Sequence, residues 1–326
     1  MQDKKYKNST RRQFLKRTAL GISAAGLLHG RTASALGVAR RVSANDKINL
    51  AVIGTGGMGR RHVEALASNE QCNLVALCDV AIPRYTPVAK WLEEHGYKRP
   101  DLYQDFREVL DRSDVDAILT ATPDNWHPLI TILGCQAGKD VYVEKPACPT
   151  VAEGRAMVNA ARRYGRVVQL GTQQRSMEVF QRAMDIVHSG RLGKITTASA
   201  WVGTNGFMPS AIPVPAPESL DWDMWLGPAP YVPFSKERYG GWMGWHDYAR
   251  GGELTNWGIH LLDIVQWGIG QDRPLSVQAL GGSYRGNVGQ DNFETIEAIL
   301  EYPGCTVTWE QRHNNSHANK GYGVAF

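Results

Sequence analysis

The chain reads as an α/β protein: an N-terminal Rossmann doubly wound parallel sheet, then an α+β substrate domain with an open sheet. Three observations predict this. From Lys47 to Leu170, short apolar runs alternate with segments of helical spacing, and strands alternating with helices call for parallel pairing. A glycine-rich turn, Gly54-Thr55-Gly56-Gly57-Met58-Gly59, stands between the first strand and the first helix. Beyond residue 170 the pattern shifts to longer β-branched runs separated by Pro- and Trp-rich stretches.

The elements follow in order. Lys47–Ile53 is a buried strand running into the glycine turn, and Met58–Ser68 has helical spacing. Asn73–Asp79 is a second apolar strand that ends in an acid. Val115–Ala121 is a strand, Pro128–Ala137 a helix, Asp140–Val143 a strand, Ala152–Tyr164 a helix and Val167–Leu170 a strand. These place one domain at 47–170 and a second at 171–326. In the second, Leu192–Trp201 and Glu294–Tyr302 read as strands, and Leu254–Gly268 as the helix that interrupts them. The chain stops at Gly323-Val324-Ala325-Phe326, inside strand-like sequence. A strand left unpaired at an edge is a liability, so the expectation is a truncated second domain.

Residues 1–35 have the three parts of an export signal. Ser9-Thr10-Arg11-Arg12-Gln13-Phe14-Leu15-Lys16 is a twin-arginine motif, Thr18–Leu28 is mildly apolar, and Ala33-Ser34-Ala35 offers a cleavage site. The apolar stretch is too short to span a bilayer, as is every later one, so no membrane span is expected after cleavage. The partner implied is the twin-arginine export machinery, and the destination the periplasm; residues 36–46 form a linker. The leader holds eight of the 36 Lys and Arg and one of the 32 Asp and Glu. That leaves 28 basic against 31 acidic residues, a balance with no footprint for nucleic acid. Five cysteines (Cys72, Cys78, Cys135, Cys148, Cys305) have no metal spacing and read as buried free thiols.

The glycine turn has the context that its chemistry requires. Gly54 allows the tight turn, and Gly56, with Gly57 and Met58, lets backbone approach a pyrophosphate. Gly59 lets helix and strand pack. Phosphates would rest on the helix N-terminus. Asp79, 25 residues beyond Gly54 at the end of the second strand, can take both adenosine-ribose hydroxyls. It would repel a 2′-phosphate, which favours NAD, while Arg84 is near enough to leave NADP open. Taken alone, the glycines also fit an ordinary tight turn in an unrelated α/β fold.

With these segments in order, the sequence resembles the Gfo/Idh/MocA oxidoreductases from about Lys47 to the last residue. The resemblance rests on the glycine turn, Thr122-Pro123-Asp124-Asn125-Trp126-His127, Glu144-Lys145-Pro146, Gly171-Thr172-Gln173, and Gly251-Gly252-Glu253-Leu254-Thr255-Asn256-Trp257-Gly258-Ile259-His260. It implies that Thr122, Pro123, Asn125, His127, Glu144 and Lys145 wrap the nicotinamide half of the cofactor, with Gln173 among the cofactor contacts. Lys145 would reach the substrate oxygen, and His260 would move its proton. It also implies a substrate-domain sheet that often builds an oligomer interface, hence a homo-oligomer. Many relatives carry Asp where this chain has Asn256, which cannot take a proton but can hold a hydroxyl or orient His260.

The residue chemistry agrees. Oxidising a carbinol needs a proton acceptor, and a lysine ammonium stabilises the alkoxide that develops. Asn256 and His260 stand four apart on one helix face. The plainer reading of His260 is a helix histidine satisfied in the core. A metal cluster of His260 with Asp263, His246 or Glu253 is a further reading, but Asp263 more simply orients or caps, and no metal is expected. Trp222, Trp225, Trp242 and Trp245 with Lys236, Arg238 and His246 read equally as a sugar-stacking wall or as loop packing. His313, Asn314 and His317 read as a polar turn.

Three functions remain open. The first is an exported NAD(P)-dependent sugar or polyol oxidoreductase; outside the cytoplasm there is little free cofactor, so it would be held tightly and recycled. The second is an NAD-dependent glycoside hydrolase working through transient oxidation and elimination. The third is a non-catalytic carbohydrate-binding relative.

Overall fold

A computed structural model describes residues 47–204, 210–284, 289–313 and 321–326. The twin-arginine leader and the linker lie outside the described residues, as do Asn314 and His317.

The first sheet contains β1 (Ile48–Ile53), β2 (Cys72–Cys78), β3 (Asp101–Tyr103), β4 (Ala117–Thr120), β5 (Asp140–Glu144) and β6 (Val168–Gly171). Their order is β3-β2-β1-β4-β5-β6, and every neighbouring pair is parallel. The helices of ten residues or more are α1 (Gly57–Ala67), α2 (Ile82–Glu94), α3 (His127–Gln136), α4 (Val151–Tyr164), α5 (Glu178–His188) and α6 (Ile259–Ile269). The twofold alternation of side chains along each strand sorts the core into two layers. Ala51, Ile53, Ile118, Val141 and Val143 pack with Ile130, Cys135 and Met157 from α3 and α4. Val52, Leu77 and Leu119 pack on the other face with Val63, Val88 and Leu92 from α1 and α2. A sheet covered on both faces explains why these strands are almost continuously apolar.

The second sheet holds β7 (Thr197–Thr204), β8 (Ser276–Gly282), β9 (Thr295–Tyr302), β10 (Cys305–His313) and β11 (Tyr322–Ala325). Its order is β11-β7-β10-β9-β8. It is mixed: β10 runs parallel to β7, and the remaining pairs are antiparallel. α6 packs on one face through Leu261 and Val265, against Ala200, Val307 and Trp309.

Several elements differ from the sequence reading. The strand expected from Leu192 begins at Thr197, because Gly193 turns the chain at φ 71°. His313 lies at the end of β10 rather than in a turn. α2, which carries Pro83 near its start and Pro87 inside it, was hidden by those prolines, which normally interrupt helices. The expected helix at Leu254 opens as a π-helical turn, Leu254–Gly258, before α6 begins. The terminal strand β11 pairs with β7 on one side and forms the edge of its sheet. All five cysteines are free thiols, and no described helix is long and apolar enough to cross a membrane.

Candidate active site

A cleft of about 650 Å³ runs along the C-terminal ends of the parallel strands, between the first sheet and the segment carrying Asn256 and His260. That size suits an organic ligand, and the edge beyond parallel strand ends is where open α/β sheets bind one.

The nucleotide end is built from backbone. Gly54 takes φ +85°, and a side chain there would meet the Ala121 carbonyl at 2.7 Å. A Cβ on Gly59 would fall 1.8 Å from the Gly54 oxygen, so helix and turn touch directly. Gly56 and Gly57 are different. A Cβ on Gly57 would meet nothing within 4 Å, and one on Gly56 only the Arg84 guanidinium at 4.0 Å. The space beside them is therefore open to the cleft, and α1 begins there with no side-chain cap on its free N–H groups. A pyrophosphate fits that cradle. Met58 also lines the cleft.

Asp79 lines the cleft and holds the turn from below. Its carboxylate accepts from Thr55 N at 2.8 Å, from the Thr55 hydroxyl at 3.3 Å and from Ala81 N at 3.0 Å. Burial pushes its pKa up, and the backbone N–H groups of Ala81 and Thr55 pull it partway back.

The Thr122–His127 segment divides. Thr122, Pro123, Asp124 and Trp126 line the cleft. Asn125 and His127, expected at the nicotinamide, do not. Asn125 is buried, with Nδ2 donating to the Leu226 carbonyl at 3.0 Å and its backbone N–H to the Tyr248 carbonyl at 3.1 Å. His127 is 1% exposed, with its ring nitrogens 2.7 Å from the Pro146 carbonyl and 2.9 Å from the Thr122 carbonyl. A neutral ring can donate to only one of them, and burial holds the His127 pKa down. These two residues brace the loop from behind.

The other end of the cleft is built from side chains. Lys145 Nζ donates to Asn256 Oδ1, and Asn256 Nδ2 donates to Glu253 Oε2 at 3.0 Å. The amide thus accepts from a cation and donates to a carboxylate, which Asp could not do. That accounts for the asparagine here. Burial raises the Glu253 pKa. Glu144 is buried and binds His62 at 2.7 Å. Burial pushes the Glu144 carboxyl up, but the His62 contacts and the Lys145 N–H outweigh it and hold the pKa below the usual value. His260 lines the cleft at 5% exposure. Its burial, reinforced by the Lys145 charge, lowers its pKa to about 4, so the ring is neutral at neutral pH. Gln173 lines the cleft as well.

Sequence reasoning gave three residues no part in the catalytic end: Asp124, His62 and Glu253, the last weighed only as a metal ligand. Asp124 is 4% exposed and faces the cleft; burial drives its carboxyl well above the usual range, with Lys145 opposing. It sat inside a segment already singled out, and an acid in that loop was the available signal. Glu253 stood three residues before Asn256, a spacing that puts both on one helix face. His62, on α1, carried no local signal, because its partner is 82 residues away.

The aromatic segment is chiefly packing. Trp222, Trp225 and Trp245 are buried in one cluster with Phe234 and Tyr248, and Trp222 stacks on Trp225 with ring centroids 4.6 Å apart. Arg238 lies over Trp245, while Lys236 and His246 are exposed. Only Trp225 and Trp242 of the four tryptophans reach the cleft. Asp263 is held by Arg175 through contacts of 2.6 and 2.8 Å. No group of three or more potential metal ligands occurs among the described residues.

Comparison with known proteins bears on the same residues. The oxidoreductase family GFO_IDH_MocA, with its NAD-binding Rossmann fold, matches residues 48–172, and its C-terminal alpha/beta domain matches 180–315. A glycosyl hydrolase family 109 protein of Solibacter usitatus is 30% identical over 159 residues, covering 47% of this chain and 36% of that protein. An inositol 2-dehydrogenase of Salmonella paratyphi B is 26% identical over 145 residues, covering 44% of this chain and 42% of that protein. The chain thus spans under half the length of these curated relatives. Among solved structures, the aldose-aldose oxidoreductase of Caulobacter crescentus with glycerol matches at TM-score 0.62 and 24% identity, covering 82% of this chain and 71% of that one. GenD2 from gentamicin A biosynthesis, in complex with NAD, matches at TM-score 0.67 and 20% identity, covering 91% and 75%. These structural likenesses concern the fold.

Proposed function

The chain belongs to the Gfo/Idh/MocA family of oxidoreductases, with the NAD-binding Rossmann domain at residues 48–172. On that premise we propose that it oxidises a carbinol, or in reverse reduces a carbonyl, of a sugar or polyol, in the periplasm, with tightly held and recycled NAD. The observation that carries this reading is the convergence of Lys145, Asn256 and His260 on the same cleft as the glycine turn.

Gly54, Gly56, Gly57 and Met58 would hold the pyrophosphate, Asp79 the adenosine ribose, and Thr122, Pro123, Glu144, Lys145 and Gln173 the nicotinamide half. Bound NAD would supply the hydride acceptor. Lys145 would donate to the substrate oxygen and stabilise negative charge as it develops there. Asn256 would hold that ammonium in place. His260, neutral at neutral pH, would take the O–H proton on a ring nitrogen. The relatives named above act on inositol or aldoses by their names, which supports the substrate class. The test is to denature the purified protein and identify released nucleotide, then add a panel of aldoses and inositols to the native protein. Bound nucleotide that becomes reduced on adding a carbohydrate supports the proposal; absence of nucleotide binding defeats it.

A second reading is glycoside cleavage through transient oxidation, elimination of the aglycone and re-reduction. Asp124 favours it, because elimination needs a second group to carry a proton, and Asp124 is a carboxyl that faces the cleft and whose pKa burial drives up. Release of a chromophore from a chromogenic glycoside, with no net NADH, selects this reading.

A further inference from the structure

The second half of the chain reaches back over the nucleotide end of the cleft. Its segment from Ser219 to Tyr248 is pinned to the Rossmann domain on two sides by hydrogen bonds to the segment's own backbone. On one side Ile82 N–H donates to the Ser219 carbonyl and Asp221 N–H to the Val80 carbonyl, both at 3.0 Å. On the other, Trp126 Nε1 donates to the Trp225 carbonyl at 3.0 Å and Asn125 Nδ2 to the Leu226 carbonyl. Between these anchors stands a bridge made only of side chains. Arg84 Nε donates to the Tyr239 hydroxyl at 3.2 Å, and the guanidinium lies 5.3 Å from the centre of the Tyr239 ring. Arg84 and Tyr239 both line the cleft, and Arg84 Nη1 is 4.0 Å from where a side chain on Gly56 would begin.

We infer that Arg84 and Tyr239 are cofactor-retaining residues whose bridge crosses the mouth of the cleft beside the glycine turn, so that a dinucleotide enters and leaves only when the bridge opens. The inference rests on the nucleotide-binding reading above and adds a mechanism for tight retention. The backbone anchors are fixed, whereas one solvent-accessible hydrogen bond and one cation–π contact can part without unfolding anything. Arg84 is held chiefly by its hydrogen bond to Tyr239, with a weaker charge attraction to Asp79. A gate differs from a simple contact in its kinetics: it slows entry as well as exit.

The experiment is stopped-flow binding and release of NADH by the full chain, followed by protein fluorescence, for wild type, Tyr239→Phe, Arg84→Gln and the double variant. Tyr239→Phe keeps the ring in its place beside Trp225 and Phe234, and thermal unfolding of each nucleotide-free variant checks its fold. The expected result is that either single change raises both the association and the dissociation rate, by roughly 3- to 10-fold. The double variant should be no faster than the faster single one, because the bridge is already broken. A rise in dissociation alone would mean a direct contact and overturn the gate, as would unchanged rates or additive effects. Wild-type protein that binds no NADH would instead defeat the nucleotide-binding reading itself.

Discussion

The two ends of the cleft are made of different material. The nucleotide end is backbone: a glycine with positive φ, two glycines facing open space and a helix start, with Asp79 bracing the turn. The chemical end is a set of coupled side chains, Lys145–Asn256–Glu253 with His260 and Asp124 around it. The glycine turn lies within Gly54–Gly59, with its brace, Asp79, 24 residues from Thr55, whereas the side-chain network joins positions 111 residues apart in sequence. The first should set binding and the second should set rate, and the two should be separable by mutation.

Lys145→Ala gives the largest expected effect. Loss of the ammonium should lower kcat/KM by roughly 10²–10³-fold, with a far smaller change in NADH affinity by fluorescence titration. Equal losses in both would break the division between the two ends. Gly59→Ala probes the other end, since its Cβ would collide with the Gly54 carbonyl. Relieving that overlap should cost about 1–3 kcal/mol and weaken NADH binding, while kcat at saturating cofactor falls little. Steady-state kinetics with NADH titration would show the split.

Asn256→Asp sharpens the account of the chemical end. It sets a carboxylate against Glu253 and removes a donor, a change worth about 1–3 kcal/mol by denaturant unfolding. Adding Glu253→Gln should restore most of the loss; if the double variant is no better than the single one, the relay has been misread. The last test is of pH. His260 has a pKa of about 4 when folded against 6.5 when free, so the unfolded chain binds the extra proton between these values. Stability should therefore fall as pH drops from 6.5 towards 4 and level off below. His260→Asn should make that acid limb shallower, as followed by urea unfolding across the range.

How much of this was legible in sequence follows the same division. The glycine turn, the strands around it and the position of Asp79 could be read because each is a local pattern. Lys145, Asn256 and His260 could be nominated, but their meeting in one cleft is a tertiary fact. Asn125 and His127 pack behind the loop because their partners are set by the fold: the Leu226 carbonyl, 101 residues from Asn125, and the Pro146 carbonyl, 19 residues from His127. The tryptophan-rich segment offered two readings because stacking surface and core packing use the same residues; burial settled it for Trp222 and Trp245. α2 was missed because Pro83 and Pro87 argue locally against a helix that Tyr85, Val88 and Leu92 stabilise by burial.

The pairing of β7 fixes an order of events in folding. In the first sheet β1 finds β2 within a short loop, with Asn73 bonding to Asn49 24 residues earlier. β7 instead lies between β10 and β11, and Thr308 meets Ser199 across 109 residues. Closing a loop of that length costs about 4 kcal/mol in chain entropy, so non-local pairing of this kind is slow. The Rossmann sheet can assemble while the rest is still being made, but both edges of β7 stay open until β10 and β11 have emerged. On the proposed export route, which carries folded proteins, this late closure is the step that would decide when a molecule is ready to leave.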